Sequence, residues 1–277
     1  MLAAVIAASD GPDVFALDEV PEPSGGAILI DVTLAGVSLR DLEHRRGPHA
    51  PPVLGTDVVG RRRSDGRRVA ALLPDGGGYA QVVAAPAGHV VEVPDEVGDE
   101  QALAVLEQGL TAWHCLHTVG RVDPGDVVLV ATAGAGGAGH LEIQLARSAG
   151  ARVIASVQDG TPTLILDGIG GRLFEQLRAV LAPFGRIVTY GEPLGSVPVA
   201  PLVTASTGVL GFDLRQVLAD EELYRSSAAR LFHLVERGVL TFPESPVYPL
   251  SAVGRAHTDL ENRVVAGKPL IDVRHPF

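Results

Sequence analysis

Residues 134–139 read G-A-G-G-A-G, so Gly134, Gly136 and Gly139 stand in the spacing G-x-G-x-x-G, with Gly137 inside it. They follow the apolar run DVVLVATAG and precede the helical pattern GHLEIQLARSAG. In that setting the first glycine permits a tight turn and the second lets a diphosphate approach the backbone. The third lets helix and strand pack closely. The helix N-terminus offers free N–H groups and partial positive charge to a phosphate. The same glycines also suit a tight turn that holds no ligand. His140, the next residue, either donates to a phosphate or is a partly exposed first-turn residue.

Other side chains could carry proton chemistry. Tyr79 either donates a proton or packs a hairpin. Glu107 stands one turn before Thr111 on one helical face. Buried there, it would be a general base with a raised pKa. His114 and His117 lie three apart with Trp113 beside them, and all three are candidates for a cleft position or for packing. Arg61, Arg62, Arg63, Arg67 and Arg68 surround Ser64-Asp65-Gly66. That hairpin reads either as a solvated turn or as a dock for an acidic carrier protein. The one cysteine, Cys115, excludes an intrachain disulfide and a thiolate zinc cage.

These groups must be positioned by two kinds of element. Up to about residue 95 the chain is β-rich: AILIDVTLAGV alternates at period two, and RRVAALLP and YAQVVAAP are short strands between turn residues. PDEVGDEQALAVLEQGLTAWHCLHTVG has a helical pattern with acids in its first turn. Then strands and helices alternate: DVVLVATAG, GHLEIQLARSAG, ARVIAS, TLILDG, GRLFEQLRAVLAPFG and RIVTYG. Such alternation indicates a parallel α/β sheet. From about Thr241 the chain returns to short strands and one helix. The expected organisation is a discontinuous domain of residues 1–116 and 240–277, with a second domain of residues 117–239 inserted.

One connection is too short. Between Ser156 and Thr163 lie only VQDGTP. Parallel strands need a crossover of about a dozen residues or more. The segment spans roughly 24 Å at full stretch. A return along a strand of ~17–20 Å, two places across, barely fits that reach. The expectation is a stretched linker over one sheet face, or shortened strands.

The 277 residues carry a net charge of −11, which argues against nucleic acid as a partner. No apolar run reaches membrane-spanning length. MLAAVIAASDGPDVF reads as a buried strand, not a leader, and a reducing cytoplasm is the expected setting.

The motifs together resemble the medium-chain dehydrogenase/reductase superfamily, in its zinc-free quinone-oxidoreductase and enoyl-reductase branch. The likeness rests on LAGVSLRDLEHRRG, PPVLGTDVVG, GGGYAQVVAAPAGHVVEVPDEV, GLTAWHCL, LVATAGAGGAGHLEIQLARSAGARVIA, LDGIGG, LAPFGRIVTYG and VVAGKPLIDV. It implies a truncated Rossmann-type parallel sheet inserted in a β-rich GroES-like catalytic domain. It carries Ser38 and Asp41 to the substrate side, Thr111 to the nicotinamide and Gly191 to the loop under the cofactor. An alternative for Asp41 is an N-cap of the following helix. The zinc branch has a cysteine where Ser38 stands and a glycine–histidine–glutamate motif where Gly55-Thr56-Asp57 stands, so zinc is not expected.

The resemblance also implies NADP(H), with weak or absent binding. The shortened segment would wall the adenine and supply a cation to the 2′-phosphate. Here Ser156, Gln158 and Asp159 stand instead. Two readings stay open. One is an NAD(P)H-dependent reductase of a quinone or activated alkene. The other is a redox-silent cyclase, isomerase or lyase of specialised, polyketide-type metabolism. Either takes a small apolar substrate, with an acyl carrier protein as a candidate partner. Pairing through TGVLGFDL into a homodimer is expected from the resemblance.

Overall fold

The computed structural model describes residues 1–7, 14–24, 27–132, 137–191 and 195–277. Gly134 and Gly136 of the glycine motif lie outside the described residues. The contacts divide the chain into two units: Met1–Glu107 with Arg215–Arg237 and Phe242–Phe277, and Gln108–Leu214 with Gly238–Thr241. Residues 215–237, expected in the inserted domain, group with the first unit. The 16-residue helix Glu221–Glu236 accounts for this, because Tyr224 is buried there and its hydroxyl donates to the His89 carbonyl at 3.0 Å.

The first unit holds a seven-stranded sheet that is antiparallel except for one pair. Its centre is Ile28–Gly36, which pairs with Asp57–Arg62, Val82–Ala85 and Leu270–Asp272. The C-terminal strand thereby lies against a strand more than 230 residues earlier. Ile30, Val32, Val58, Val69, Val83 and Ile271 fill the interior. Burial of such side chains contributes roughly 1.5–3 kcal/mol each.

The second unit holds five parallel strands in the order Gly208–Gly211, Arg186–Thr189, Leu164–Asp167, Val127–Val130, Arg152–Ile154. Val128, Leu164, Ile165, Leu166, Ile187 and Val188 are wholly buried, as expected of strands covered on both faces. The helix Gly137–Ser148 follows Val127–Val130 across the glycine turn.

The short crossover is achieved by the second of the two expected routes. Arg152–Ile154 has three residues and Leu164–Asp167 four. A three-residue strand rises only about 10 Å, so the return is half that of an ordinary strand. The linker is not fully stretched, since it contains a 3₁₀ turn at Val157–Asp159. The Arg152 guanidinium donates to the Asp159 carbonyl at 3.1 Å, which ties the linker to the strand's first side chain. Gly160, at φ 149°, makes the bend; a Cβ there would strike the Arg152 guanidinium. Thr163 then docks the chain. Its amide donates to Val127 O at 2.9 Å and its hydroxyl to Asp126 at 2.7 Å. Arg186 completes that corner, with two nitrogens on the Asp126 carboxylate at 2.9 and 2.7 Å.

The helical run from Asp99 to Val119 alternates in type. Asp99–Ala104 and Leu110–Trp113 are α-helical, while Val105–Gly109 and His114–Val119 are π-helical. Such π turns occur frequently at functional sites. No helix among the described residues is long and apolar enough to cross a membrane.

Candidate active site

In the first unit, the helix Leu39–Arg46 begins with a capping box. Ser38 is the N-cap and Asp41 the N3 residue, which corrects the alternative of Asp41 as the cap itself. Serine at N-cap with an acid at N3 satisfies two orphan amides reciprocally. Asp41 is fully buried and collects more than that. Its Oδ2 accepts from Ser38 N at 2.8 Å, Ser38 Oγ at 2.9 Å and Thr56 Oγ1 at 3.3 Å, and its Oδ1 accepts from Gly55 N at 3.1 Å. The hydroxyls of Ser38 and Thr56 are 3.1 Å apart. Burial raises the Asp41 pKa, against the hydrogen bonds from Ser38.

Beside this group lies an ion triad. Lys268 Nζ, nearly inaccessible, is 3.0 Å from Asp57 Oδ2 and 2.9 Å from Glu107 Oε2. Burial alone would lower the Lys268 pKa, but the two carboxylates hold it above the ordinary lysine range. Burial pushes Asp57 up to about 7 even against the Lys268 charge. Gly36 makes the room: a Cβ there would lie 2.5 Å from both Asp57 carboxylate oxygens and against the Lys268 chain. Glu107 is therefore not the isolated buried carboxyl the sequence allows. Its side chain is 28% exposed and sits on an ammonium.

Tyr79 is completely buried, and its hydroxyl is 3.0 Å from His257 Nε2. Burial first, then the Asp41 and Asp57 charges and a hydrogen bond to Asp41, raise its pKa well above that of free tyrosine. A direct proton donor to substrate, as the sequence allowed, would need an accessible hydroxyl. Here Tyr79 packs beneath Asp41. The arginine hairpin is also spent locally. Arg62 binds Asp65 and Glu92, Arg63 binds Glu22 and Asp31, and Arg67 binds Glu92. Arg61 donates to Gly66 O, and Arg68 to the carbonyls of Pro94 and Val97. Its positive charge is paired on the spot, which suits the reading of the hairpin as a solvated turn.

In the second unit, Gly137 opens the helix and Gly139 lies against the end of strand Val127–Val130. A Cβ on Gly139 would be 2.5 Å from the Thr132 carbonyl oxygen. Gly191 approaches the backbone of Gly168 and Ile169 equally closely. That loop is shaped by Asp167, whose Oδ1 accepts from Ile169 N and Gly170 N at 3.1 and 2.9 Å. Thr111 and Trp113 are half-buried on Leu110–Trp113, and the Trp113 ring lies 4.1 Å from that of His117. His114 is in the core, bonded to Thr118 at 2.7 Å, and burial lowers its pKa to about 4. Cys115 is buried.

Sequence reasoning passed over Glu142, which is wholly buried in the helix after the glycine turn. Burial pushes its pKa up to about 8, so it is neutral at pH 7. Its partners, Thr132 and Tyr190, stand at the carboxyl ends of two strands. Also missed were His257, Arg45 and the pairing of Lys268. The only signal for Lys268 was that it is the single lysine of the chain.

Zinc, which the resemblance does not lead one to expect, and a dinucleotide, which it implies, can both be tested against these residues. Zinc does not fit. Ser38 and Thr56 offer neutral hydroxyls already bonded to Asp41, and Asp57 is engaged by Lys268. Among the described residues no group of three or more His, Cys, Asp or Glu is placed to hold a metal ion. At the diphosphate end, Gly139 and Gly191 press against the backbones of Thr132 and of Gly168–Ile169, so they shape the helix–strand crossing and the neighbouring loop, while residues 133–136 of the turn lie outside the described residues. The adenosine end differs. Ser156 spends its N–H and hydroxyl on Asp159 Oδ2 at 3.1 and 3.3 Å, and residues 155–163 contain no cation.

A family model described as zinc-binding dehydrogenase matches residues 149–271. The 2-haloacrylate reductase of Burkholderia sp. is 29% identical, over 96% of this chain and 97% of that protein. The alignment runs over 327 positions against a chain of 277 residues, so at least 50 are gaps in this chain. A mycocerosic acid synthase-like polyketide synthase of Mycobacterium tuberculosis is 26% identical over 94% of this chain, which spans 15% of that protein. The quinone oxidoreductase of Thermus thermophilus, solved alone and with NADPH, superposes with a TM-score of 0.86 at 29% identity. That match covers 99% of this chain and 100% of that one. The architecture is thus a shortened Rossmann-type sheet set in a GroES-like β domain. These likenesses support placing the chain in the medium-chain dehydrogenase/reductase superfamily, in its quinone-oxidoreductase branch.

Proposed function

We propose that the protein is a zinc-independent, NAD(P)H-dependent reductase of a quinone or activated alkene. The observation that carries this is the full-length likeness to a quinone oxidoreductase solved with NADPH. It is joined by the close-approach glycines Gly137, Gly139 and Gly191 at strand and helix ends of the parallel sheet. Thr111 completes the proposed dinucleotide contacts, with Gly134 and Gly136 in the turn. When bound, the dinucleotide supplies a hydride. Ser38, with Thr56 beside it, orients the polar group of a small apolar substrate, and Asp41 and Tyr79 hold those hydroxyls from behind. Glu107, in the same unit as Ser38, is proposed as a wall residue of the substrate side. Zinc independence follows from the donor set, which is two hydroxyls and no free carboxylate.

The adenosine end supports a second reading, a redox-silent cyclase, isomerase or lyase. A 2′-phosphate without a cationic partner loses charge-assisted hydrogen bonds, each worth about 1.5–3 kcal/mol. The polyketide synthase relative supports a substrate delivered by an acyl carrier protein. Homodimer formation is proposed through the edge strand Gly208–Gly211. Phe184 (86% exposed), Val199, Val203 and Leu210 lie at or next to that edge with their apolar side chains exposed.

Titration with NADPH and NADH, read by protein fluorescence, with turnover of menadione as the model quinone, decides between the readings. Binding and turnover support the reductase. No binding at millimolar dinucleotide refutes it and favours the redox-silent reading.

A further inference from the structure

The hydroxyls of the Ser38–Asp41–Thr56 group have no proton to offer a substrate. Ser38 Oγ donates to Asp41 Oδ2 at 2.9 Å, and Thr56 Oγ1 donates to the same oxygen at 3.3 Å. A hydroxyl carries one proton, so each can still accept a hydrogen bond but neither can make another. Reduction of a quinone or enone requires donors. Addition of hydride to the electron-poor carbon breaks a π bond, and the displaced electron pair comes to rest on the conjugated oxygen. Both electrons come from the dinucleotide and stay in the substrate, and a solvent proton completes the quinol or enol. Until that proton arrives the oxygen is negatively charged, and N–H donors or a cation aimed at it lower the barrier.

The helix that starts from Ser38 carries such donors. Its second residue is Arg40. Arg40 is half-buried, its Nε is buried without a hydrogen-bond partner, and its guanidinium makes no ion pair among the described residues. His44 stands four residues on, on the same helical face, and its Nδ1 is likewise buried and unpartnered. The rest of the helix is committed. Asp41, Leu42 and Arg45 are buried, and Arg45 and Arg46 both bind Glu261. Acids outnumber arginine and lysine by 33 to 22 in this chain, so Arg40 is not unpaired for want of acids. A buried N–H without an acceptor is unfavourable, and the Nε–H and one Nη–H of a guanidinium form a fork that fits an oxyanion.

We propose that Arg40, with His44 Nδ1 as a second donor, is the oxyanion-binding residue of the substrate side, and that it pairs with the oxygen that gains charge in a quinone or enone. This rests on the reading of the protein as a reductase with Ser38 on its substrate side. The ligand class it selects is a conjugated oxyanion, an enolate or phenolate, over the neutral form of the same molecule. Preference for the charged form is what accelerates the reaction, because that charge is present only after hydride begins to add.

The test has an arm without dinucleotide and an arm with it. The probe of the first is 4-nitrophenol, whose phenolate is coloured and whose phenol is not. Bound to the wild type, it should titrate about one pH unit below the free compound, a tenfold preference for the phenolate. Arg40→Met should return that midpoint to the free value or above it. Arg40→Lys, which keeps the charge without the fork, should fall between. His44→Leu should lose about two- to fivefold of the preference. Arg46→Met removes a guanidinium already held by Glu261 and should titrate as the wild type does. In menadione turnover with NADPH, Arg40→Met should lower kcat at least about tenfold, with the Kd for NADPH within about twofold. Should Arg40→Met melt below the wild type, Arg40→Gln takes its place in both arms. A wild type that does not bind 4-nitrophenolate at millimolar concentration, or binds it no better than the phenol, overturns the proposal. So does a preference that survives in Arg40→Met or that Arg46→Met removes equally. A fall in NADPH affinity as large as the fall in kcat puts the guanidinium on a dinucleotide phosphate and overturns it as well. If the wild type reduces no quinone, the reductase reading fails, while the phenolate titration still decides this one.

Discussion

Gly139→Ala is expected to destabilise the nucleotide-side sheet, and the structure sets the size of the effect. A Cβ at this position would lie 2.5 Å from the Thr132 carbonyl oxygen and 2.8 Å from its carbon, where ordinary contact begins at 3.4 Å. The obstacle is backbone and cannot rotate aside. Helix Gly137–Ser148 must therefore retreat by about 0.9 Å from the end of strand Val127–Val130. Overpacking of this kind costs about 1–3 kcal/mol, and alanine returns up to about 1 kcal/mol in helix propensity. The net loss of about 1–2 kcal/mol corresponds to a fall in Tm of about 2–8 °C. Gly137→Ala is the internal control. Its Cβ would meet only the amide end of Gln108, which can swing away, so its Tm should equal or exceed wild type. Differential scanning fluorimetry of the three proteins reads both. If Gly139→Ala melts at or above wild type, or Gly137→Ala melts lower than Gly139→Ala, close helix–strand packing is not what that glycine supplies. Because the retreating helix also carries the N–H groups offered to a diphosphate, NADPH affinity should fall in Gly139→Ala.

Three further outcomes follow from the buried charges and the linker. Lys268→Met leaves Asp57 buried without its cation and should cost about 3–5 kcal/mol by urea denaturation at pH 8. The loss should be smaller at pH 5, where Asp57, with its folded pKa near 7, is already neutral; an equal loss at both would refute the ion pair as its source. Glu142 has a folded pKa of about 8, above its unfolded value of 4.5, so its contribution is complete below pH 4.5 and is lost as pH rises toward 8. Stability should fall by about 1 kcal/mol per pH unit between pH 5 and 8 on its account, and urea midpoints of Glu142→Gln should lack that part of the slope. Gln158→Arg places a cation in the linker while keeping the Ser156–Asp159 cap. It should tighten NADPH about tenfold and leave NADH unchanged in fluorescence titrations; equal effects on both would remove the 2′-phosphate from that corner.

Much of this protein is local chemistry and can be read along the chain. The run DVVLV declares a doubly covered strand because every residue after the aspartate is apolar and β-branched or leucine. Serine at 38 and threonine at 56 lack the thiolate and imidazole donors that the zinc branch carries there, and that is readable before any distance is known. The six residues between Ser156 and Thr163 announce that a crossover helix is missing. How the chain survives that loss was not legible. It depended on the length of strand Arg152–Ile154 and on where Thr163 lands, and both are settled by pairing with Val127–Val130.

The candidate site divides the same way. Turn chemistry, which acts over a few residues, is sufficient to place Gly139 at a helix–strand crossing, but it offered Asp41 as the cap of a helix that the structure starts from Ser38. The partners that define each group's chemistry are set by sheet order and strand register, which bring distant segments together. Tyr79 reads as a free proton donor until His257, 178 residues on, takes its hydroxyl. Glu107 reads as a lone carboxyl until Lys268, 161 residues on, reaches it. A side chain's type is written in the chain, but its protonation, exposure and hydrogen-bond direction belong to the surroundings that folding assembles.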